Sequence, residues 1–544
     1  MSSQKRRFRI GVDTGGTFVD AIEFNEETGE FKVAKSPTTP SDPTVGFANA
    51  IEKLGTPLDE TYLILHGTTL GVNAILQRKG VNTGIMTNNG FRDIFEIGRG
   101  DVPFQSMYDF NYYKPKRIVR RANTIGVTCR VDFNGRVLQE LDETEVRSSL
   151  EYLVKRRGVE SLAISFLHSY KNPAHELRVG EIVRSLYPEM SVSLSSEVVG
   201  EYREYERTSS TVLDAYIKPL VATYLEKLEK DLSKRGFKGH LLIMRSDGGV
   251  MSVPTAVSSP ISTVQSGPAG GVVGASYLAT LLKKDKMITM DIGGTSLDVC
   301  VIEGGAANVI HQSTVEDYPL LETMYDIRSI GAGGGSISAV KDGLLQVGPE
   351  SASADPGPMC YNKGGTRPTV TDAAVVLGYI DPANFLSGEM RIAEDLARDG
   401  VERMIAKPLG MSLVDAAAGT MKITVTNCMA AIRQITVEEG KDPADYSLVA
   451  FGGAGPLFAS IMAKELGIPE VVVPIAPAAF SAWGMLMCDV SYEVSQTSIS
   501  LLDDVRPDEL SARFLPLETR LKSILGEQGA PFRNIILERK LELR

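Results

Sequence analysis

The chain is short of cysteine, histidine and tryptophan, and it lacks any long uninterrupted apolar run. Five cysteines (Cys129, Cys300, Cys360, Cys428 and Cys488) are scattered through 544 residues, without CxxC spacing and without histidines paired to them. This excludes a disulfide scaffold and a zinc-ribbon framework, and predicts reduced packing thiols in a cytosolic, cytoplasmic chain. Five histidines give no ligand spacing, so a Zn²⁺ or Mn²⁺ site cannot be read in this chain. The most apolar stretch, 471–487, is broken by Pro474, Pro477 and Gly484, and no membrane span is expected. The basic start Met1–Phe8 is not followed by the apolar core of a signal peptide. Positive charge is also in short supply. The net charge of −11 provides no global field to attract phosphate backbones, which argues against a general nucleic-acid binder. What remains is an ordinary globular balance, 43% hydrophobic and 23% charged, in a chain long enough for several domains.

Glycine is not scarce, and its placement organises the chain. Met287–Asp291 reads as a buried strand, Gly293-Gly294-Thr295-Ser296 as a tight turn, and Leu297–Ile302 as a returning strand. Paired glycines let backbone amides approach a phosphate without a Cβ between them. Thr295 and Ser296 add hydroxyls, and Asp291 and Asp298 are placed to hold a hydrated Mg²⁺. An ordinary glycine hairpin would explain one such turn. The N-terminus repeats it, however, as Asp13-Thr14-Gly15-Gly16-Thr17 with Asp20 in the register of Asp298. Two copies, each opening a half of the chain, predict a duplicated fold with two phosphate loops facing one nucleotide.

Between these repeats, residues 60–200 alternate helix and strand, the pattern of a layered α/β domain. His66-Gly67-Thr68-Thr69 ends a strand before a helix, a place either for an anion or for a capped turn with a structural histidine. A helical stretch from Glu204 to about Lys234 is predicted to break at Pro219. Ser266–Gly271 opens a helix reaching Leu282, and Gly331–Ser336 is predicted to line a cleft or form a flap. The longest helix is expected from about Ser412 to Glu438. The strand Ser447–Phe451 then meets Gly452-Gly453-Ala454-Gly455-Pro456 and a helix, which fits the adenosine and α-phosphate side of the same cleft. The predicted divisions are 1–200, 201–495, and 496–544 as the start of an incomplete C-terminal domain.

These motifs together resemble the actin–hexokinase–Hsp70 superfamily, and the chain is identified as a member of the hydantoinase/5-oxoprolinase/ketone carboxylase family, A-type subunit. Carrying the resemblance are the Asp-Gly-Gly-Thr turns, His66–Thr69, Gly90-Phe91-Arg92-Asp93, Glu204-Tyr205-Glu206-Arg207 and Ser266-Gly267-Pro268-Ala269, with Gly331–Ser336, Thr369–Asp372 and Gly452–Pro456. It implies a duplicated, ribonuclease H-like α/β ATPase fold with an α/β insertion in the N-terminal half. It also implies ATP and Mg²⁺, with phosphorylation of a carbonyl oxygen on a small substrate. Gly15, Gly16, Thr17, Gly293, Gly294, Thr295 and Ser296 would hold the phosphates, with Gly333 and Gly334 beside them. Gly452, Gly453 and Gly455 would hold the nucleoside, Asp13 and Asp291 would organise Mg²⁺ through water, and His66 and Arg328 would contact substrate or phosphate.

The chain departs from the family at Phe458, where histidine is common, and at Asp247 and Asp214, where asparagine is usual. It also stops at Arg544, where the family continues. That predicts either truncation or a small subunit supplying the remainder, beside a large B-type partner. The split favours an acetophenone carboxylase-like enzyme over an ATP-dependent cyclic amide hydrolase. A nucleotide-gated, chaperone-like protein is the reading from another class.

Overall fold

Alternating burial fixes the first sheet. Along Phe8–Thr14 and Phe18–Asn25, Ile10, Val12, Val19 and Ala21 are fully buried. Phe8–Thr14 pairs antiparallel with Phe18–Asn25 and parallel with Thr61–Thr68, and six strands follow in the order 250–252, 240–244, 61–68, 8–14, 18–25, 31–37. In the computed structural model, residues 7–39, 41–100, 102, 106–113, 117–353, 355–388, 390–527 and 535–541 are described.

The second half repeats this design. Lys286–Ile292 pairs antiparallel with Leu297–Glu303 and parallel with Ser447–Phe451, which is parallel in turn to Glu470–Val472. Asp13 stands opposite Asp20 in the first hairpin, and Asp291 opposite Asp298 in the second. Each sheet buries its own cluster, the first around Ile10, Val12 and Ile64, the second around Ile288, Met290 and Leu448. The two hairpins are therefore structural equivalents.

An all-parallel sheet in the order 191–194, 161–164, 83–88, 124–127 is inserted in the first half, with a core including Met86, Val127, Leu162 and Val183. Its two central strands, 83–88 and 161–164, are buried on both faces, as parallel strands covered by helices are. At their C-terminal ends, Glu176 accepts from Phe166 N and from Ser195, while the buried Arg207 guanidinium donates to the Phe166 carbonyl.

Three expectations need correction. The boundary at residue 200 cuts through the first unit, because His240–Met244 pairs parallel with Thr61–Thr68 and carries Val250–Ser252 with it. The helix Glu204–Lys234 does not break at Pro219. It buries residues from Tyr205 through Ile217 and again at Val221, Tyr224, Leu225, Leu228 and Leu232, so packing outweighs the one amide that proline lacks. At 31 residues it is longer than Leu413–Glu438, with 26.

All five cysteines are free, and burial pushes the thiols of Cys129, Cys300 and Cys428 up to about 12, which suits packing residues. Among the described residues no helix is long and apolar enough to cross a membrane. Residues 540–541 lie in no strand, and 542–544 lie outside the described residues.

Candidate active site

Each hairpin turn leaves backbone donors free. Gly15 N–H bonds to the Phe18 carbonyl and Gly293 N–H to the Ser296 carbonyl, closing the turns at 3.0 and 3.1 Å. Among the described residues, the amides of Gly16, Thr17, Gly294 and Thr295 have no acceptor. The two turns face each other, since a Cβ built on Gly294 would lie 3.0 Å from the Thr17 hydroxyl. Two sets of unpaired N–H groups converging on one space form an anion cradle.

Four carboxylates crowd beneath the turns. Burial pushes Asp13 up to about 7, with the neighbouring charge of Asp20 next in effect. Asp291 is raised well above the ordinary range by burial, then by Asp298 and Asp13. Burial raises Asp298 to about 6. Asp20 is raised by burial too, but Lys35 opposes this with contacts of 2.6 and 2.9 Å to its two oxygens. Oδ1 of Asp13 is buried without a hydrogen-bond partner among the described residues. Oδ2 of Asp291 accepts from the Ser481 hydroxyl at 3.3 Å.

The glycine run does something other than expected. Gly334 N–H donates to the Gly293 carbonyl at 3.0 Å and Gly335 N–H to the Gly294 carbonyl at 2.7 Å, while Gly333 N–H donates to the Ser336 hydroxyl. With their amides engaged, Gly333 and Gly334 brace the second turn rather than offer donors to a ligand. A Cβ on Gly333 would sit 2.7 Å from the Gly294 carbonyl carbon, so only glycine permits this bracing. Gly452 has φ +79° and abuts Asp291 and the Ile292 carbonyl, with its N–H donated to the Pro477 carbonyl. Gly453 has open space around it, and Gly455 begins the helix Gly455–Leu466.

Two predicted contacts fall elsewhere. His66 is fully buried and held neutral, its pKa lowered to about 4 by burial. Its Nδ1 lies 3.1 Å from the Val12 carbonyl, which can only accept, so Nε2 accepts from the Tyr224 hydroxyl at 2.8 Å. Both nitrogens are spent on the fold. Arg328 is paired with Asp326 at 2.9 Å and Glu438 at 3.3 Å. In register it stands opposite Val299, whereas its neighbour Ser329 stands opposite Asp298 and donates to that carboxylate. Successive side chains on a strand point to opposite faces, so Ser329 and not Arg328 meets the cluster.

The departures at the other sites are structural. Phe458 is fully buried, Asp247 is bound by Arg245 at 2.9–3.1 Å, and Asp214 accepts from Ser193 at 2.6 Å and from Ile261 N at 3.2 Å. Lys35, Ser329 and Ser481 are site residues that sequence reading missed. Lys35 was within reach, because the hairpin register places it directly opposite Asp20. Ser329 and Ser481 carry no motif.

Two equivalent strand–turn–strand units, each with a carboxylate pair under a glycine turn, define a duplicated α/β fold. The chain belongs to the hydantoinase/oxoprolinase family, which matches residues 207–494, its N-terminal region matching residues 9–187. It is 33% identical to caprolactamase subunit alpha of Pseudomonas jessenii, over 96% of this chain and 77% of that one. It is 36% identical to the acetophenone carboxylase gamma subunit of Aromatoleum aromaticum, over 90% and 69%. The nucleotide-free structure of acetone carboxylase superposes with a TM-score of 0.84 at 29% identity, covering 96% of this chain and 78% of that one. The family is one of ATP-dependent enzymes.

Proposed function

We propose that this chain binds ATP between its two turns and passes the γ-phosphoryl group to the carbonyl oxygen of a small substrate. The observation that carries this reading is the facing pair of turns with free amides above four carboxylates. In such a transfer the carbonyl oxygen forms the new bond to phosphorus as the bond to the leaving diphosphate breaks. The chain's share is positioning and stabilisation of charge on the equatorial oxygens by the amides of Gly16, Thr17, Gly294 and Thr295.

The residues suit a hydrated magnesium ion. Asp13 offers a buried oxygen with no hydrogen-bond partner, and oxygen donors are what Mg²⁺ takes. When bound, the cation would neutralise phosphate charge, with Asp13 and Asp291 orienting its water shell.

The activated product would be completed by a large B-type partner subunit. Subunit organisation does not separate the two readings, because the caprolactamase and the acetophenone carboxylase relatives are both named subunits. Both ketones and cyclic amides present the carbonyl that this reading needs. The family is enzymatic, which removes the reason for a chaperone-like role.

The test is ATP turnover of the purified complex with its partner subunits, across ketones and cyclic amides, with and without labelled bicarbonate. Stimulation by either class, lost in Asp13→Ala and Asp291→Ala, supports phosphoryl transfer. Turnover unchanged in both variants would overturn it.

A further inference from the structure

A cavity of about 370 Å³, sharing no residue with either turn, is lined by Gly80, Val81, Asn82, Ile118, Arg120 and Tyr216. Three segments meet there. Residues 80–82 lead from the helix Leu70–Leu76 into the strand Thr83–Asn88, residues 118–120 lead toward the strand Thr124–Val127, and Tyr216 belongs to the helix Glu204–Lys234. That helix serves two bodies. Before Tyr216, Thr208 meets the Ser165 hydroxyl at 2.8 Å and Asp214 accepts from Ser193 at 2.6 Å, both contacts with the inserted α/β unit. After it, Tyr224 reaches His66 in the first sheet. The cavity therefore lies at the seam where the inserted sheet joins the first unit.

Its lining presents donors without partners. Tyr216 is 5% exposed, yet among the described residues its hydroxyl makes no hydrogen bond and is not sealed from solvent. A donor so deeply set gains from an acceptor brought to it. The ring itself is pinned against Gly80, where a Cβ would fall 2.2 Å away, and Val81 N–H donates to the Tyr216 carbonyl at 3.1 Å. Asn82 has nothing further to offer. Its amide nitrogen donates to the Arg157 and Gly158 carbonyls, and its oxygen accepts from Asn123. Of the arginines nearby in sequence, Arg117 stacks on Phe95 and Tyr318, and Arg121 holds Asp93 at 2.7 and 2.9 Å. Arg120 is exposed and, among the described residues, paired with nothing. The lining includes no carboxylate, and the neighbouring Glu160 accepts from the Asn82 N–H at 3.3 Å. Val81 and Ile118 supply apolar surface.

We propose that this cavity is a second binding site, apart from the nucleotide cleft, for a small monocarboxylate with an apolar body. The Arg120 guanidinium takes the carboxylate through its paired N–H donors, and the Tyr216 hydroxyl donates to the same group. Val81 and Ile118 cover the body. One cation matches a single negative charge, whereas a phosphate would bring a second charge with no cation to face it. The site stands independently of the phosphoryl-transfer reading.

The experiment is calorimetric titration of the full chain without nucleotide, using benzoate against benzamide and hexanoate against hexanamide. Wild type is expected to bind the acid of at least one pair about tenfold tighter than its amide, the scale of one charge-assisted hydrogen bond. Arg120→Met should bring the members of that pair level. Tyr216→Phe keeps the ring and removes only the hydroxyl, and should weaken binding of the acid about fivefold. Neither substitution takes away a side-chain hydrogen bond within the described residues, and an unshifted melting temperature will confirm that both variants fold. Equal binding of acid and amide by wild type, a preference that survives Arg120→Met, or acid binding unchanged in Tyr216→Phe would overturn the site.

Discussion

Lys35 holds Asp20 through both carboxylate oxygens, at 2.6 and 2.9 Å, whereas Asp298, the counterpart of Asp20 in the second hairpin, is met by the hydroxyl of Ser329. The duplicated hairpins are thus alike in backbone and unlike in charge. The first carries its own cation and, among the described residues, the second does not. Lys35→Met should leave Asp20 charged, buried and unpaired, destabilising the fold by about 2–3 kcal/mol near neutral pH. Its carboxyl pKa would climb further, so the loss should grow from pH 5 to pH 8 in denaturant titrations. An equal loss at both pH values would show that the ion pair is not its source.

Asp13 provides a complementary pH test. Its folded pKa is about 7, above the unfolded value near 3.8, so the folded state holds the proton more tightly between those limits. Its contribution to stability therefore falls as pH rises from about 4 to about 7. Asp13→Asn should remove that decline and stabilise the ligand-free chain at pH 8, on the order of 1 kcal/mol. Parallel stability–pH curves for variant and wild type would contradict this.

The same carboxylates matter for turnover. Asp291→Ala is expected to lower ATP turnover by about 100-fold or more, the scale of losing a preorganised electrostatic group. Thermal stability should hold or rise, because a carboxyl whose ionisation is disfavoured by burial and by two neighbouring carboxylates is removed. A fall in melting temperature with normal turnover of the surviving protein would assign Asp291 to the fold alone.

Two glycines should respond in opposite ways. Gly452→Ala places a side chain at φ +79° against Asp291 and the Ile292 carbonyl, and should cost about 3 kcal/mol or more. Gly293→Ala meets nothing within 4 Å and should leave the melting temperature near wild type. The added methyl would stand at the second turn, so nucleotide affinity should drop. Scanning calorimetry with and without an ATP analogue separates the two effects.

For His66, the expectation is a purely structural loss. His66→Ala strips partners from the buried Val12 carbonyl and Tyr224 hydroxyl and opens a cavity, costing about 3 kcal/mol. The KM for ATP of the folded fraction should not move. A selective change in KM without loss of stability would return His66 to the site.

The duplicated hairpins were legible because the chemistry repeats, with Asp, two glycines and a second Asp in one register. The parallel α/β insertion was legible from its alternation of apolar strands and helices. His66 and Arg328 were misread for a common reason. Sequence shows that a polar residue lies near a turn, but not which face of the strand it occupies or what packs behind it. Gly333 and Gly334 follow the same pattern, since a glycine run signals close approach without saying whether a ligand or another backbone approaches. Here it is the second turn. Pro219 shows that a local helix-breaking signal is overridden where both flanks of the helix are buried.

Near the junction of the two halves, the helix Phe480–Met485 crosses Ser266–Leu282 at Gly484, Gly270 and Gly274, where a Cβ on Gly484 would come within 2.7 Å of the Gly274 nitrogen. The first of these helices also packs on the first sheet, and the second helix leads directly into the second hairpin. At Gly484 backbone rests directly on backbone, flanked by the side chains of Phe480 and Met485, so no larger residue fits at that point. The crossing therefore fixes the spacing between the first sheet and the helix that leads into the second hairpin.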